Sequence, residues 1–391
     1  MYFAIYLCYN SNVKNKHYVT KKWSHKIEVY ASQKEDFEMK KFIVLVLSLV
    51  MLTTLLAGCG SNKKEEPTST SKPEEVAATK APEATKEPEA TKAPEAKVVK
   101  VGITIYKFDD NFMTLYREEL ERYFKEDLSS DEVTYEVTVV DGKNDQAEQT
   151  NQIQTFIADK YDVIVANLVQ SSAASTVINM CKDANIPVVF INREPTSEDL
   201  DLWDKVAYVG ADARQSGTMQ GEIIYDLENH GDINGDGKVS YVMVIGDPEN
   251  VDAQYRTEFS VKALTDKGIA VEELVAQRGD WDQAKGQEIV AAALTQYGDT
   301  IEVVFCNNDA MALGARQAIE SAGRKVGTDI YLVGVDALAE VVSAVETGAI
   351  TGTVLNDHIG QAHTAAEVAV KAVNGDALDK NYTVDYVKVT K

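Results

Sequence analysis

Cysteine is scarce in this chain of 391 residues: Cys8, Cys59, Cys181 and Cys306 are all it has, with no CxxC or CxxH spacing. That excludes a disulfide framework and a zinc ribbon, and Cys181 and Cys306 read as small buried apolar residues. Positive charge is short too. Lys and Arg number 39 against 62 Asp and Glu, a net charge of -23, which argues against nucleic acid and against electrostatic attachment to an anionic membrane. Of five histidines only His230, His358 and His363 fall where the chain reads as folded, and none sits in a catalytic pattern. Gly-x-Ser-x-Gly, a Walker loop and a dinucleotide glycine fingerprint are all missing. A glycosidase pair could be drawn from Asp110, Asp252 and Asp336, but nothing in the sequence marks a raised pKa in either partner. No enzyme and no catalytic residue is expected. The apolar run Phe42 to Leu56 is shorter than the roughly 20 residues that span a bilayer. Proline is rare as well, and five of its eight copies lie within residues 60–97.

What is present begins with a change of character at Met39. Residues 1–38 are mixed and polar without periodicity, and are read as an upstream mis-start. Met39-Lys40-Lys41, the apolar run and Leu56-Ala57-Gly58-Cys59 make a secretory signal over residues 39–58. The last four residues resemble a bacterial lipobox, which implies cleavage before Cys59 and its lipidation. Residues 59–97 then repeat Ala-Thr-Lys-x-Pro-Glu about every six positions with almost no large apolar side chain. Such a stretch cannot offset its ordering entropy and is expected to be an extended tether. The location implied is extracytoplasmic, lipid-anchored at the cell membrane.

From Val98 strands and helices alternate. Val99 to Ile105, Tyr135 to Val140, Val163 to Ala166, Val188 to Ile191, Tyr241 to Ile245, Ile301 to Phe305, Tyr331 to Val335 and Gly352 to Leu355 read as strands. Met113, Tyr116, Leu120 and Tyr123 stripe the first helix. Continuous Val/Ile runs between helices mean parallel sheets covered on both faces, and two α/β sheets fit the length.

In such sheets ligands bind at the carboxyl ends of the strands. The residues there share a chemistry: Asp109, Asp110 and Phe112; Asn192 and Arg193; Asn250, Asp252 and Arg256; Trp281 and Asp282; Asn307, Asn308 and Asp309; Asp336; Asn356 and Asp357. Carboxylates, amides and guanidinium suit sugar hydroxyls, and flat rings suit a pyranose face. Any one Asp or Asn after a strand is commonly only a helix cap. Seven strand ends alike are harder to dismiss.

One loop stands apart. Asp232, Asn234 and Asp236 occupy positions 1, 3 and 5 of an EF-hand-like calcium loop, Gly237 makes the turn at 6 and Ser240 stands at 9. Position 12, where a bidentate Glu belongs, is Met243, inside a strand-like run. Either no ion binds or the closing carboxylate comes from elsewhere in the chain.

Val101 to Phe112, this loop, Asn307 to Ala312, Gly334 to Leu338 and Gly352 to Asp357 closely resemble the bacterial glucose/galactose-binding proteins, type I periplasmic binding proteins that serve ABC importers. The resemblance spans about residues 98–390. It implies two doubly wound parallel-sheet lobes joined by a three-crossing hinge: residues 98–210 with 357–386, and residues 211–356 with 387–391. It implies a monosaccharide stacked between Phe112 and Trp281, with Asp110, Asn192, Asn250, Asp252, Arg256, Asn308, Asp336 and Asn356 on its hydroxyls. Asn250 stands where the family has His. The resemblance also supplies Glu302 as the remote calcium ligand and the Lys238 carbonyl as another, beside Asp232, Asn234, Asp236 and Ser240. A monomeric partner of an ABC sugar permease is implied. A sugar sensor feeding a chemoreceptor or kinase, or a binder of another pyranose such as xylose, is the alternative.

Overall fold

Strand and helix alternate from Lys97 onward. The structure, a computed structural model, describes residues 96–391. The mis-start, the signal peptide, Cys59 and the tether up to residue 95 lie outside the described residues.

One series of elements is β1 (Lys97–Ile105), α1 (Asn111–Arg122), β2 (Val133–Asp141), α2 (Gln146–Ala158), β3 (Val163–Ala166), α3 (Ala174–Ala184), β4 (Val188–Ile191), α4 (Ser197–Leu200) and β5 (Val206–Gly210). A second follows: α5 (Ala213–Tyr225), β6 (Lys238–Ile245), α6 (Val251–Thr265), β7 (Ala270–Arg278), α7 (Gln283–Tyr297), β8 (Val303–Cys306), α8 (Asp309–Ser321), β9 (Tyr331–Val333), α9 (Ala339–Thr347) and β10 (Gly352–Leu355). The chain then returns to the first lobe with α10 (His358–Asn374) and β11 (Asn381–Thr383), and crosses again to end its second sheet with β12 (Val387–Thr390).

The first sheet runs β11-β5-β4-β3-β1-β2 and is parallel throughout. The second runs β12-β10-β9-β8-β6-β7, parallel except that β12 lies antiparallel to β10. That strand departs from the parallel expectation for a physical reason. A parallel strand needs a crossover packed on its own sheet, whereas β12 arrives directly from the other lobe.

Alternation across each strand fills two cores per sheet. Val163 and Val165 of β3 face one apolar layer while Ile164 and Ala166 face the other. Val303 and Phe305 of β8 divide from Val304 and Cys306 in the same way. Cys181 and Cys306 are buried free thiols inside these layers. Just past α1, Tyr123 leaves the expected stripe: it stacks on His363 at 3.8 Å, and Phe124 takes the core position in a π-helical turn. Winding reverses beside β1 and again beside β6, so each lobe opens a crevice at its strands' carboxyl ends.

Candidate functional site

The two crevices face one another. Asp110, Phe112 and Asn192 of the first lobe, Asn250, Asp252, Arg256, Trp281, Asn308 and Asp336 of the second, and Asn356 at a crossing line one cavity of about 350 Å³. Tyr106, Met113 and Arg193 complete the lining. Seven of the ten, from Phe112 to Asn356, are at most 6% exposed, so the lobes meet over the cavity.

Three of the site residues are also helix caps. Asp110 caps α1, its Oδ1 accepting from the Met113 N–H at 2.7 Å, while Oδ2 accepts from the Tyr106 hydroxyl at 2.6 Å. Asn250 caps α6 and Asn308 caps α8. One oxygen orders the helix, and the rest of the side chain is held toward the cavity. Asn192, Trp281 and Asp336 take positive φ values of 61°, 64° and 124°. For a Trp this is strained backbone, at a cost of about 1–3 kcal/mol, and strain of this kind collects where function requires it.

Two buried amides hold the crevices in parallel ways. The Asn167 side chain accepts from the Tyr106 N–H at 3.2 Å and donates to Asn192 Oδ1 at 3.1 Å. The Asn307 side chain accepts from the Gly246 N–H at 3.0 Å. Gly246 is required by the indole: a Cβ there would come within 2.3 Å of the Trp281 ring.

Arg256 is the central cation. Its Nη1 donates to the Asn307 carbonyl at 2.8 Å and its Nη2 to the Tyr386 hydroxyl at 3.1 Å, with Asp252 Oδ2 at 3.9 Å. Gly217 of α5 lets α6 come close enough to place it, since a Cβ would stand 3.0 Å from the Arg256 backbone. Burial raises the Asp252 carboxyl to about 6 against the pull of Arg256. Burial likewise raises Asp336 well above the carboxylate range, Arg256 opposing and Asp309 adding to it. Asp309, pushed up to about 7 by burial, accepts from Thr353 Oγ1 at 2.6 Å and the Leu338 N–H at 2.8 Å, which braces the Asp336 turn. The raised carboxyls that the sequence did not mark are therefore present.

Several of these residues escape sequence reasoning. Tyr106 carries a positional signal, falling just past β1 as Arg193, already named at a strand end, falls past β4; Met113 reads only as helix stripe. Tyr386 carries none, because it reaches Arg256 across 130 positions.

The acidic loop lies apart, before β6. Asp232 accepts from the Gly235 and Gly237 N–H groups, Asn234 from that of Asp236, and Asp236 from that of Lys238. Glu302 comes to it from just before β8. Its carboxylate, 1% exposed, accepts from the N–H groups of Ile233, Asn234 and Ser240 at 2.7, 3.0 and 2.9 Å. An all-oxygen donor set with a buried carboxylate, to which no lysine or arginine pairs among the described residues, fits a hard cation chemically. The oxygens are nevertheless occupied by backbone N–H groups, and Ser240 Oγ bonds Glu272 at 3.4 Å. No three acidic, His or Cys side chains gather closely enough to enclose a metal ion among the described residues.

Cleft, crossings and cavity together define a two-lobed binding protein. A family model described as a periplasmic binding protein domain matches residues 101–377, and the chain belongs to that family. It is 34% identical over 307 residues to the D-galactose/methyl-galactoside binding periplasmic protein of Haemophilus influenzae, covering 75% of this chain and 89% of that one. It is 28% identical over 264 residues to the ribose import binding protein of Salmonella typhimurium, covering 67% and 82%. Among solved structures it is similar to an ABC transporter solute binding protein from Bacillus halodurans with bound myo-inositol, at 28% identity and a TM-score of 0.65, covering 77% of this chain and 96% of that one. These relatives are solute-binding proteins and not enzymes. Among the described residues no helix is long and apolar enough to cross a membrane.

Proposed function

We propose that this is an extracytoplasmic lipoprotein, anchored through Cys59, that binds one monosaccharide, glucose or galactose, between its lobes and hands it to an ABC sugar permease. The observation that carries the reading is the convergence of seven strand ends from both lobes on one cavity with a single chemistry. Each hydroxyl of a pyranose donates to a carboxylate such as Asp110, Asp252 or Asp336 and accepts from Arg256 or an amide. Phe112 and Trp281 offer rings to the apolar faces. Contacts made by both lobes at once favour the closed state, so sugar shifts the hinge toward closure. A structural calcium held by Asp232, Asn234, Asp236, Lys238, Ser240 and Glu302 belongs to the same proposal, as does a monomeric state.

Calorimetry and Trp281 fluorescence over glucose, galactose, xylose, ribose and myo-inositol test it. One-to-one micromolar binding of a hexose with quenching is expected, and a flat response to every sugar overturns it. A cyclitol is the second reading, favoured by the myo-inositol held by the Bacillus halodurans relative; strongest binding of myo-inositol would select it.

Tyr386 lies on the third crossing, and its hydroxyl accepts from Arg256. Hydrogen bonds to charged groups contribute about 1.5–3 kcal/mol, so Tyr386→Phe should weaken the sugar by about tenfold. In an Arg256→Lys background the same change should cost little. Additive losses in that double-mutant cycle would show that Tyr386 acts elsewhere.

A further inference from the structure

A second hollow, about 650 Å³, opens beside the first, and Tyr106, Arg193 and Trp281 line both. Those three side chains form the doorway between them. Arg193 differs from the other cations there. It is 3% exposed, its guanidinium lies 3.9 Å from the Tyr106 ring centre, and its Nη1 donates to the Val169 carbonyl. Its Nε has no hydrogen-bond partner, and no carboxylate is within ion-pair distance among the described residues, Asp252 feeling its charge only from farther off. A buried cation left in this way is costly unless something supplies negative charge.

The surroundings are graded in charge. Innermost, Asp110, Asp252 and Asp336 outnumber Arg193 and Arg256. In the outer hollow Lys107, Arg193, Arg278 and Lys285 meet Asp247, Asp280 and Asp282. Asp280 is shared between Arg278 and Lys285, and Arg278 also pairs with Asp247 at 3.3 Å. Lys107 has only the exposed Asp109, at 3.2 Å. Hydroxyl donors are favoured inside and an anion at the doorway.

We propose that the doorway is a subsite for an anionic substituent of the ligand, a carboxylate or a phosphate, with Arg193 as its anchor. The inference rests on reading the inner cavity as a pyranose site. The ring would sit between Phe112 and Trp281, and the substituent would pass Trp281 toward Arg193. A guanidinium suits either group because its planar fork can offer two N–H donors to two oxygens. Lys107, Arg278 and Lys285 add attraction at longer range. The ligand class is a hexuronate or a hexose phosphate.

The test is calorimetry of glucose, galactose, their uronates and their 6-phosphates against the parent chain and Arg193→Met, at low and high salt. At low salt one anionic series should bind at least about tenfold more tightly than its hexose, with the advantage shrinking in salt as partly exposed cations are screened. Arg193→Met should cost that series about tenfold more than it costs the hexose. A uronate or a phosphate preference identifies the source of the charge. The proposal is overturned if the hexoses bind and neither anionic series binds better, or if Arg193→Met weakens acid and hexose alike. The salt series on the parent chain serves as the test if the variant does not fold. If neither hexoses nor acids bind, the pyranose reading fails and takes the subsite with it.

Discussion

Arg256→Met is expected to abolish sugar binding and lower the melting temperature together. The guanidinium is 4% exposed and is the cation that opposes the burial of Asp252 and Asp336. Methionine fills similar space but leaves those carboxyls buried without it. Removing one partner from a buried ionic group costs about 3–5 kcal/mol. Affinity should fall by more than about a hundredfold, because two donors for hydroxyls go and the Asp252 acceptor is lost to protonation. The stability loss should depend on pH. A carboxyl whose folded pKa is raised favours the fold below its unfolded value and loses that contribution as pH rises through the raised one. Asp252 is already at about 6 in the parent chain, so parent and variant lose this contribution alike up to about pH 6, and the deficit should widen from there to pH 7 and above. Thermal melts at both ends of that range, with calorimetry at neutral pH, measure it. Sugar affinity within threefold of the parent would remove Arg256 from the ligand.

Glu302→Gln should produce the second large effect, on stability alone. The carboxylate, itself buried, accepts the N–H groups of Ile233, Asn234 and Ser240 with its two oxygens. Glutamine keeps one oxygen and turns an NH₂ group against donors, and each buried group left unsatisfied costs about 1–3 kcal/mol. For a protein of this size that is a drop of several degrees in melting temperature. Sugar affinity should hardly change, because Glu302 does not line the cavity. If calcium binds, the gap between parent and variant widens when calcium is added and narrows with chelator. An equal gap in both conditions means that Glu302 pins the loop as a turn and no ion is involved.

Legibility in the sequence follows burial. Val163–Ala166 and Val188–Ile191 are buried at every position, and runs of β-branched residues between polar ones have no other stable place than a covered parallel sheet. β11 and β12 carry no such mark. They are edge strands of three and four residues, alternating between exposed and half-buried, and they read as loop. The site is legible for a different reason. Topology places ligands at the carboxyl ends of parallel strands, so Asp110, Asn192, Asn308 and Asp336 can be named before any contact is known. Supporting roles cannot. Asn167 and Asn307 act by tying neighbouring strand ends together, a role that depends on strand order and not on local pattern. Arg193 stands in plain view beside Asn192, but only the structure shows that it is buried with no carboxylate in ion-pair contact among the described residues.

The three crossings bear on when this chain becomes folded. The first lobe lacks α10 and β11 until the whole second lobe has been made. α10 bonds back to α1 through Glu119–His363 and Tyr123–Glu367, contacts separated by 244 residues. β11 pairs with β5 and closes that edge of the first sheet. An emerging chain therefore holds five strands of one sheet with α1 alone on the face that α10 later shares. Closing so long a loop is entropically slow. The first lobe is therefore expected to complete its fold only once the residues up to Thr383 are available.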